Sequence, residues 1–232
     1  MNIEEYAKYK YFFTMRIPDL LEKYINKMDW NSYLDIGCGD GNLLYTLNKE
    51  GYFQKKKIFA VDLSQNRIRR VQNISKNLKC YVNDACDLKD IKNSSINIVT
   101  STMVLEHVPD EDLMLMEIKR VLKKDCNFVY LSTVFKKWYG WYYYRCNGKW
   151  RLDPTHVREY TDDNLLCKLK EKGFEIIETK KSLLCFSFVN LLVRITKYKG
   201  ETQNNKFFRL LDKLKVPILG YYNWEIVCKK VL

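Results

Sequence analysis

Three glycines at alternate positions, Gly37, Gly39 and Gly41, follow the short apolar run Tyr33-Leu34-Asp35-Ile36 and precede a helical stretch over 42–50. Such a turn lets the backbone fold tightly and lets a ligand approach without interference from a Cβ. The helix behind it aims its N-terminus at the turn, which suits a carboxylate or a phosphate. Asp62, 21 residues past Gly41, ends the next run, Phe59-Ala60-Val61, and is followed by Leu63. A carboxylate at that strand end can take both ribose hydroxyls of an adenosine ligand. A further acid, Asp84, stands in Asn83-Asp84-Ala85 after a third short run. Blander roles compete: Asp35 as a cap on the glycine turn, Asp62 as a helix N-cap, and Asp87 in place of Asp84.

Candidates for a base are few, because the chain has two histidines. His156 lies in Asp153-Pro154-Thr155-His156-Val157-Arg158-Glu159-Tyr160-Thr161. An imidazole titrating near neutrality suits a general base; the alternative is that it fixes its loop by hydrogen bonds. Arg158 can bind an acidic substrate group, or pair with Glu159 or Asp153.

These residues must be positioned by an alternation of elements. Apolar side chains at helical spacing run through 3–28, broken at Pro18. Strands are predicted at 33–36, 57–61, 80–82, 96–101, 128–131, 174–177 and 224–227. Helices are predicted between them at 42–50, 65–78, 110–124 and 162–172, with Thr161 capping the last and Leu113, Met116, Ile118, Val121 and Leu122 facing inward at 110–124. Strands alternating with helices of this length imply right-handed βαβ units and a mostly parallel sheet. The expected fold is α/β, Rossmann-like and doubly wound, with seven strands and helices on both faces. The expected organisation is one domain: a helical cap at 1–29, a core at 30–182, a helical insertion or lid at 183–222 and a last strand at 223–232. The aromatic stretch Trp138–Arg145 breaks the rhythm and reads as a lid or as a surface that stacks on a ligand.

Acid and glycine turn together are shared by nicotinamide and S-adenosylmethionine (SAM) enzymes. A dinucleotide turn needs G-x-G-x-x-G/A, whereas here the third glycine comes one residue early and position 42 is Asn. The segment Asp35-Ile36-Gly37-Cys38-Gly39-Asp40-Gly41 resembles the D-x-G-C-G-x-G motif of class I SAM-dependent methyltransferases. Val99-Thr100-Ser101-Thr102-Met103-Val104-Leu105-Glu106-His107-Val108 resembles that family's fourth-strand motif, and Glu117–Lys123 its helix before the fifth strand. The resemblance covers roughly residues 30–180. It implies that SAM is held by Asp35, Gly37, Gly39, Gly41, Asp62, Leu63, Asp84, Ala85 and Ser101. In that scheme Asp62 takes the ribose, Asp84 the adenine amino group, and the next backbone N–H the ring. It also implies that His156 lies beside the substrate cavity. The acid that often opens the family's fourth strand is Asn97 here. From position alone, Arg16 is a candidate for the methionyl carboxylate, and Tyr6, Tyr9 or Tyr11 for covering the methyl group.

The partner is bounded by composition. The net charge of +12, from 40 basic and 28 acidic side chains, favours anionic partners, although the basic residues are scattered over helix faces. The eight cysteines form no C-x-x-C pair, so they read as free thiols and no metal site is expected. The longest apolar stretch, Leu183–Val193, is too short to span a bilayer. A cytoplasmic protein, monomer or homodimer, is expected. The expected reaction is methyl transfer to a small-molecule, saccharide or lipid-linked acceptor, with oxygen as the favoured site and peripheral membrane contact as an option for the apolar segments at 183–195 and 207–219. Competing readings are a nucleic-acid methyltransferase, disfavoured because the fourth-strand motif lacks N/D-P-P-Y/F, a nicotinamide oxidoreductase, and a SAM-binding subunit without catalysis.

Overall fold

The computed structural model describes residues 7, 16–125, 127–140, 144–146, 148–153, 155–196, 205–211 and 213–231. The elements are α1 (Asp19–Ile25), β1 (Ser32–Ile36), α2 (Asn42–Lys49), β2 (Lys57–Asp62), α3 (Gln65–Val71), β3 (Leu78–Val82), β4 (Ile98–Thr102), α4 (Glu111–Val121), β5 (Phe128–Lys136), β6 (Tyr144–Cys146), β7 (Lys149–Arg151), α5 (Asn164–Glu171), β8 (Phe174–Ser187), α6 (Phe188–Thr196), α7 (Lys206–Leu211) and β9 (Lys215–Lys230).

Seven strands form one sheet in the order β3-β2-β1-β4-β5-β9-β8. All neighbours pair in parallel except β9, which runs antiparallel to both β5 and β8. Side chains of the central strands alternate between two buried faces. Leu34, Ile36, Val99, Val129 and Leu131 enter one apolar cluster with α4 and α5. Tyr33, Ile58, Ala60, Ile98, Phe128 and Tyr130 enter another with α1, α2 and α3. Central strands buried on both faces read as near-continuous apolar runs, which is why they were visible in the sequence.

Helix starts follow local chemistry. Ser64 Oγ accepts the Arg67 N–H at the head of α3, and Asp110 Oδ1 accepts the N–H groups of Asp112 and Leu113 at the head of α4. Two helix expectations need correction. On α4 the buried set is Met114, Leu115, Ile118 and Val121, with Leu122 just beyond, while Leu113 and Met116 are about half exposed. The N-cap position of α5 belongs to Asp163, not Thr161.

The helical insertion is narrower than 183–222. β8 continues to Ser187 and β9 begins at Lys215, so a long antiparallel pair flanks α6 and α7. Paired strands satisfy their backbone groups, which an isolated turn of helix would not. Of the N-terminal cap, α1 is present; the first expected helix lies outside the described residues apart from Ala7. Among the described residues no helix is long and apolar enough to cross a membrane.

Candidate active site

From β1 the chain winds outward to β2 and β3, and from β4 it winds the other way to β5. The carboxyl ends of β1 and β4 therefore border the crevice where open α/β sheets bind ligands. Gly37 and Cys38 donate their N–H groups to the Val61 carbonyl at 2.8 and 3.0 Å, and Gly41 donates to the Cys38 carbonyl at 2.9 Å. Gly37, Gly39 and Gly41 all have positive φ, at 68°, 57° and 79°. Their surroundings differ. A Cβ on Gly37 would collide with Val104, and one on Gly41 with Ile74 and Val71, whereas one on Gly39 would meet nothing within 4 Å among the described residues. Gly37 and Gly41 serve the packing of the turn; Gly39 presents bare backbone to open space.

Asp62 stands beside that space. It is 4% exposed, and its two carboxylate oxygens accept the Gly39 and Ser64 N–H groups, each at 2.9 Å. The Arg67 guanidinium lies 3.6 Å away. A carboxylate has about four lone-pair sites, so the acid that shapes the loop keeps acceptor capacity for a pair of hydroxyls. Asp40, next along the loop, is tied to Arg70 of α3, which also donates to the Ala7 carbonyl.

Asp35 lies beneath the loop and is buried. Its register partner on β4 is Thr100, whose hydroxyl donates to the carboxylate at 2.7 Å and therefore accepts from Tyr33 Oη at 2.7 Å. Burial pushes the Asp35 carboxyl up to about 7; the Thr100 hydrogen bond opposes this and the negative charge of Asp62 adds to it. A cation entering the crevice would favour the ionised form. At the same carboxyl edge, the side-chain amide of Asn83 and the hydroxyl of Ser101 are buried and have no hydrogen-bond partner among the described residues. Buried polar groups left unpaired are costly, and a polar ligand would satisfy them.

A second cluster follows β4. Met103 has a φ of 53°, unusual for a side chain of its size, and its N–H donates to the Ser132 carbonyl. Beyond Val104, the Glu106 carboxylate is fully buried. One oxygen accepts from Thr133 at 2.8 Å and the other has no partner among the described residues. Burial raises its pKa. The rings of His107 and His156 meet edge to face at 4.8 Å. His156 is buried, with Nδ1 3.1 Å from Glu159 Oε1. Glu159 also accepts the Leu152 N–H and lies 3.7 Å from Lys136 Nζ. Burial raises the Glu159 pKa, but these partners outweigh it and hold the carboxylate low. Burial, and then His156, hold the His107 imidazole below its ordinary pKa, with a smaller contribution from Arg67.

The sequence profile of the family described as "Methyltransferase domain" matches residues 29–206. The chain belongs to this family. Its relatives include a demethylmenaquinone methyltransferase of Lactobacillus johnsonii, 36% identical over 43% of each chain. A mitochondrial ubiquinone biosynthesis O-methyltransferase of Saccharomyces cerevisiae is 24% identical over 90% of this chain and 59% of its own. The chain spans about half the length of the curated relatives it matches. Among solved structures, a SAM-dependent methyltransferase of Methanosarcina mazei superposes with a TM-score of 0.63 at 18% identity, covering 94% of this chain and 100% of that one. The [4+2]-cyclase SpnF reaches 0.66 at 18% identity, covering 92% and 80%. These superpositions confirm the Rossmann-like fold; that one neighbour is a cyclase shows that the fold alone does not assign a reaction.

Within this class I SAM-dependent methyltransferase framework, the structure gathers most of the expected residues. Asp35, Gly37, Gly39, Gly41 and Asp62 share the β1–β2 edge, with Leu63 half exposed beside it. Asp84 and Ala85 follow β3. Asp84 Oδ1 accepts the Cys86 N–H at 2.8 Å, so its carboxylate shapes its own turn. Ser101 lies on β4 opposite Ile36. Arg16 is not gathered: its side chain is 86% exposed and pairs with Asp19 on α1. Proximity in sequence to the cap did not translate into contact with the loop. Tyr6, Tyr9 and Tyr11 lie outside the described residues. Arg158 pairs with neither Glu159 nor Asp153. It donates to the carbonyls of Leu105, Val108 and Pro109 and lies 3.6 Å from Glu111, pinning the turn after β4. Asn97 sits at the opposite end of β4, accepting from Ser32 and Lys123. Of the aromatic stretch, Trp138 is almost fully exposed and Tyr139 shares a hydrogen bond with Tyr222.

Sequence reasoning missed Asn83 as a lining residue, and it missed the joining of His107 to His156. The first had a weak signal, a polar residue at a strand end beside Asp84. The second had none, because 49 residues separate the two histidines.

Proposed function

We propose that this chain transfers the methyl group of SAM to the oxygen of a small-molecule or lipid-linked acceptor. The observation that carries the reading is the open backbone face of Gly39 next to the Asp62 carboxylate. In this reading the ribose sits on Asp62, the adenine lies along Leu63 and against Asp84 and the Ala85 N–H, and the methionyl part runs over Gly37–Gly41. The Asn83 amide and Ser101 hydroxyl gain polar partners from the ligand. Asp35 supplies negative charge to the cationic cofactor.

The acceptor side is the Glu106, His107 and His156 cluster. With Nδ1 held by Glu159, His156 keeps Nε2 for an acceptor proton, as a general base requires. In-line displacement at the methyl carbon depends chiefly on positioning, worth up to about 7–11 kcal/mol in favourable cases. An apolar acceptor is supported by exposed Ile195, Phe207, Leu210 and Leu219 around α6 and α7, and by relatives named for quinone biosynthesis.

Calorimetric titration with SAM tests this. Micromolar binding to the wild type, lost in Asp62→Ala and in Gly39→Ala, is the expected result. Absence of binding to the wild type would overturn the reading.

A further inference from the structure

We infer that Glu106, His107 and His156 form a binding site for a divalent transition-metal ion. One ligand atom from each residue can be chosen so that all three lie within 4.8 Å of one another. Metal–nitrogen and metal–oxygen bonds of about 2.0–2.2 Å place tetrahedral ligands roughly 3.4 Å apart. Small side-chain rotations that close the widest pair by roughly 1.4 Å therefore suffice.

Hydrogen bonding leaves one candidate ligand atom on each of the three residues. Thr155 has one hydroxyl proton and donates it to Asp153 Oδ1 at 2.5 Å. Its oxygen, 3.0 Å from His107 Nδ1, must therefore accept, and the His107 proton sits on Nδ1. The Glu159 carboxylate, 3.1 Å from His156 Nδ1, can only accept as well. Both rings are left with a bare lone pair on Nε2. Glu106 uses one oxygen on Thr133 and leaves the other buried and, among the described residues, unpartnered. Each of the three residues therefore keeps one lone pair that an ion could take. An oxygen partner on the far nitrogen of each imidazole is what fixes a metal-binding histidine.

The donor set selects the ion. Two imidazoles and one carboxylate suit zinc, iron or cobalt, not magnesium or calcium. Three protein ligands leave a coordination position open. Resting on the methyl-transfer reading, that position takes the acceptor hydroxyl. The oxygen releases its proton to solvent and forms the new C–O bond. The C–S bond breaks with its electron pair going to sulfur, and the ion keeps its oxidation state. With the ion bound, the lone pair of His156 is a ligand and the ion replaces the imidazole in activating the oxygen.

The test uses tag-free, chelator-treated protein labelled with 15N on histidine. The chain has two histidines, so the spectrum holds two rings. Both are expected as Nδ1–H tautomers, and one equivalent of Zn2+ is expected to shift both Nε2 resonances. Co2+ titration is expected to give visible ligand-field absorption saturating at one ion per chain, lost at least tenfold in affinity in Glu106→Gln and His107→Asn. Nε2–H tautomers, or Nε2 signals unmoved by Zn2+, would overturn the site. Ligand-field absorption unchanged in both variants would assign the ion to another group and overturn it equally. Thermal unfolding of each variant without metal shows whether it folds, and the wild-type spectra decide if one does not. SAM titration of the same metal-free protein separates the readings, because loss of the metal site leaves cofactor binding intact.

Discussion

Replacing Asp35 with asparagine removes a charge that the fold disfavours, and the consequence depends on pH with a definite sign. The folded carboxyl titrates near 7 against an ordinary value of 3.8, mainly because it is buried. Between those values the unfolded chain has released the proton while the folded chain keeps it. Wild-type stability therefore falls as pH rises from about 4 to about 7, then levels off. At ~1.4 kcal/mol per pH unit the full effect is ~4 kcal/mol, of which ~3 kcal/mol falls between about pH 5 and 7.5. The introduced side-chain amide still accepts from Thr100 but cannot titrate. In urea unfolding of ligand-free protein at about pH 5, 6, 7 and 8, the stability of Asp35→Asn relative to wild type is expected to climb by ~3 kcal/mol. A difference that stays flat across this range would refute the argument that the interior holds Asp35 protonated.

The cofactor carries the complementary prediction. If cationic SAM binds beside Asp35, affinity should rise roughly tenfold from pH 6 to pH 8 in the wild type and lose that dependence in Asp35→Asn, read by calorimetry in buffers of different ionisation enthalpy. Gly39→Ala should cost ~1–2 kcal/mol in unfolding free energy for its positive φ, yet lower SAM affinity at least tenfold; equal SAM affinity would show that the open face is not the cofactor's. Arg158→Lys should fail to restore the stability lost in Arg158→Ala, because one ammonium cannot reach the three carbonyls that the guanidinium serves; equal melting temperatures for Lys and Arg would contradict this. Ser64→Ala should lower stability by ~1 kcal/mol through loss of the α3 cap, measured by urea unfolding.

What the sequence determined by itself is local. Apolar runs bounded by turns announced the strands, because strands buried on both faces need little else. Gly37, Gly39 and Gly41 announced their loop, because positive φ is a property of single residues. Asp62 was legible because its place is a strand end, a fixed distance from that loop. Tertiary structure decided everything that depends on neighbours distant in the chain. It separated Gly39, facing open space, from Gly37, closed by Val104. It raised Asp35 by burying it against β4, and it left Asn83 and Ser101 without partners among the described residues. It turned Arg158 from a candidate substrate ligand into the clamp on the turn after β4. It left Arg16 outside, on an exposed ion pair. Above all it laid His107 against His156 and oriented both rings through Thr155 and Glu159. Spacing along the chain carries periodicity and turn chemistry. Burial, proton placement and the meeting of side chains 49 residues apart come into being only when the sheet closes and its loops pack.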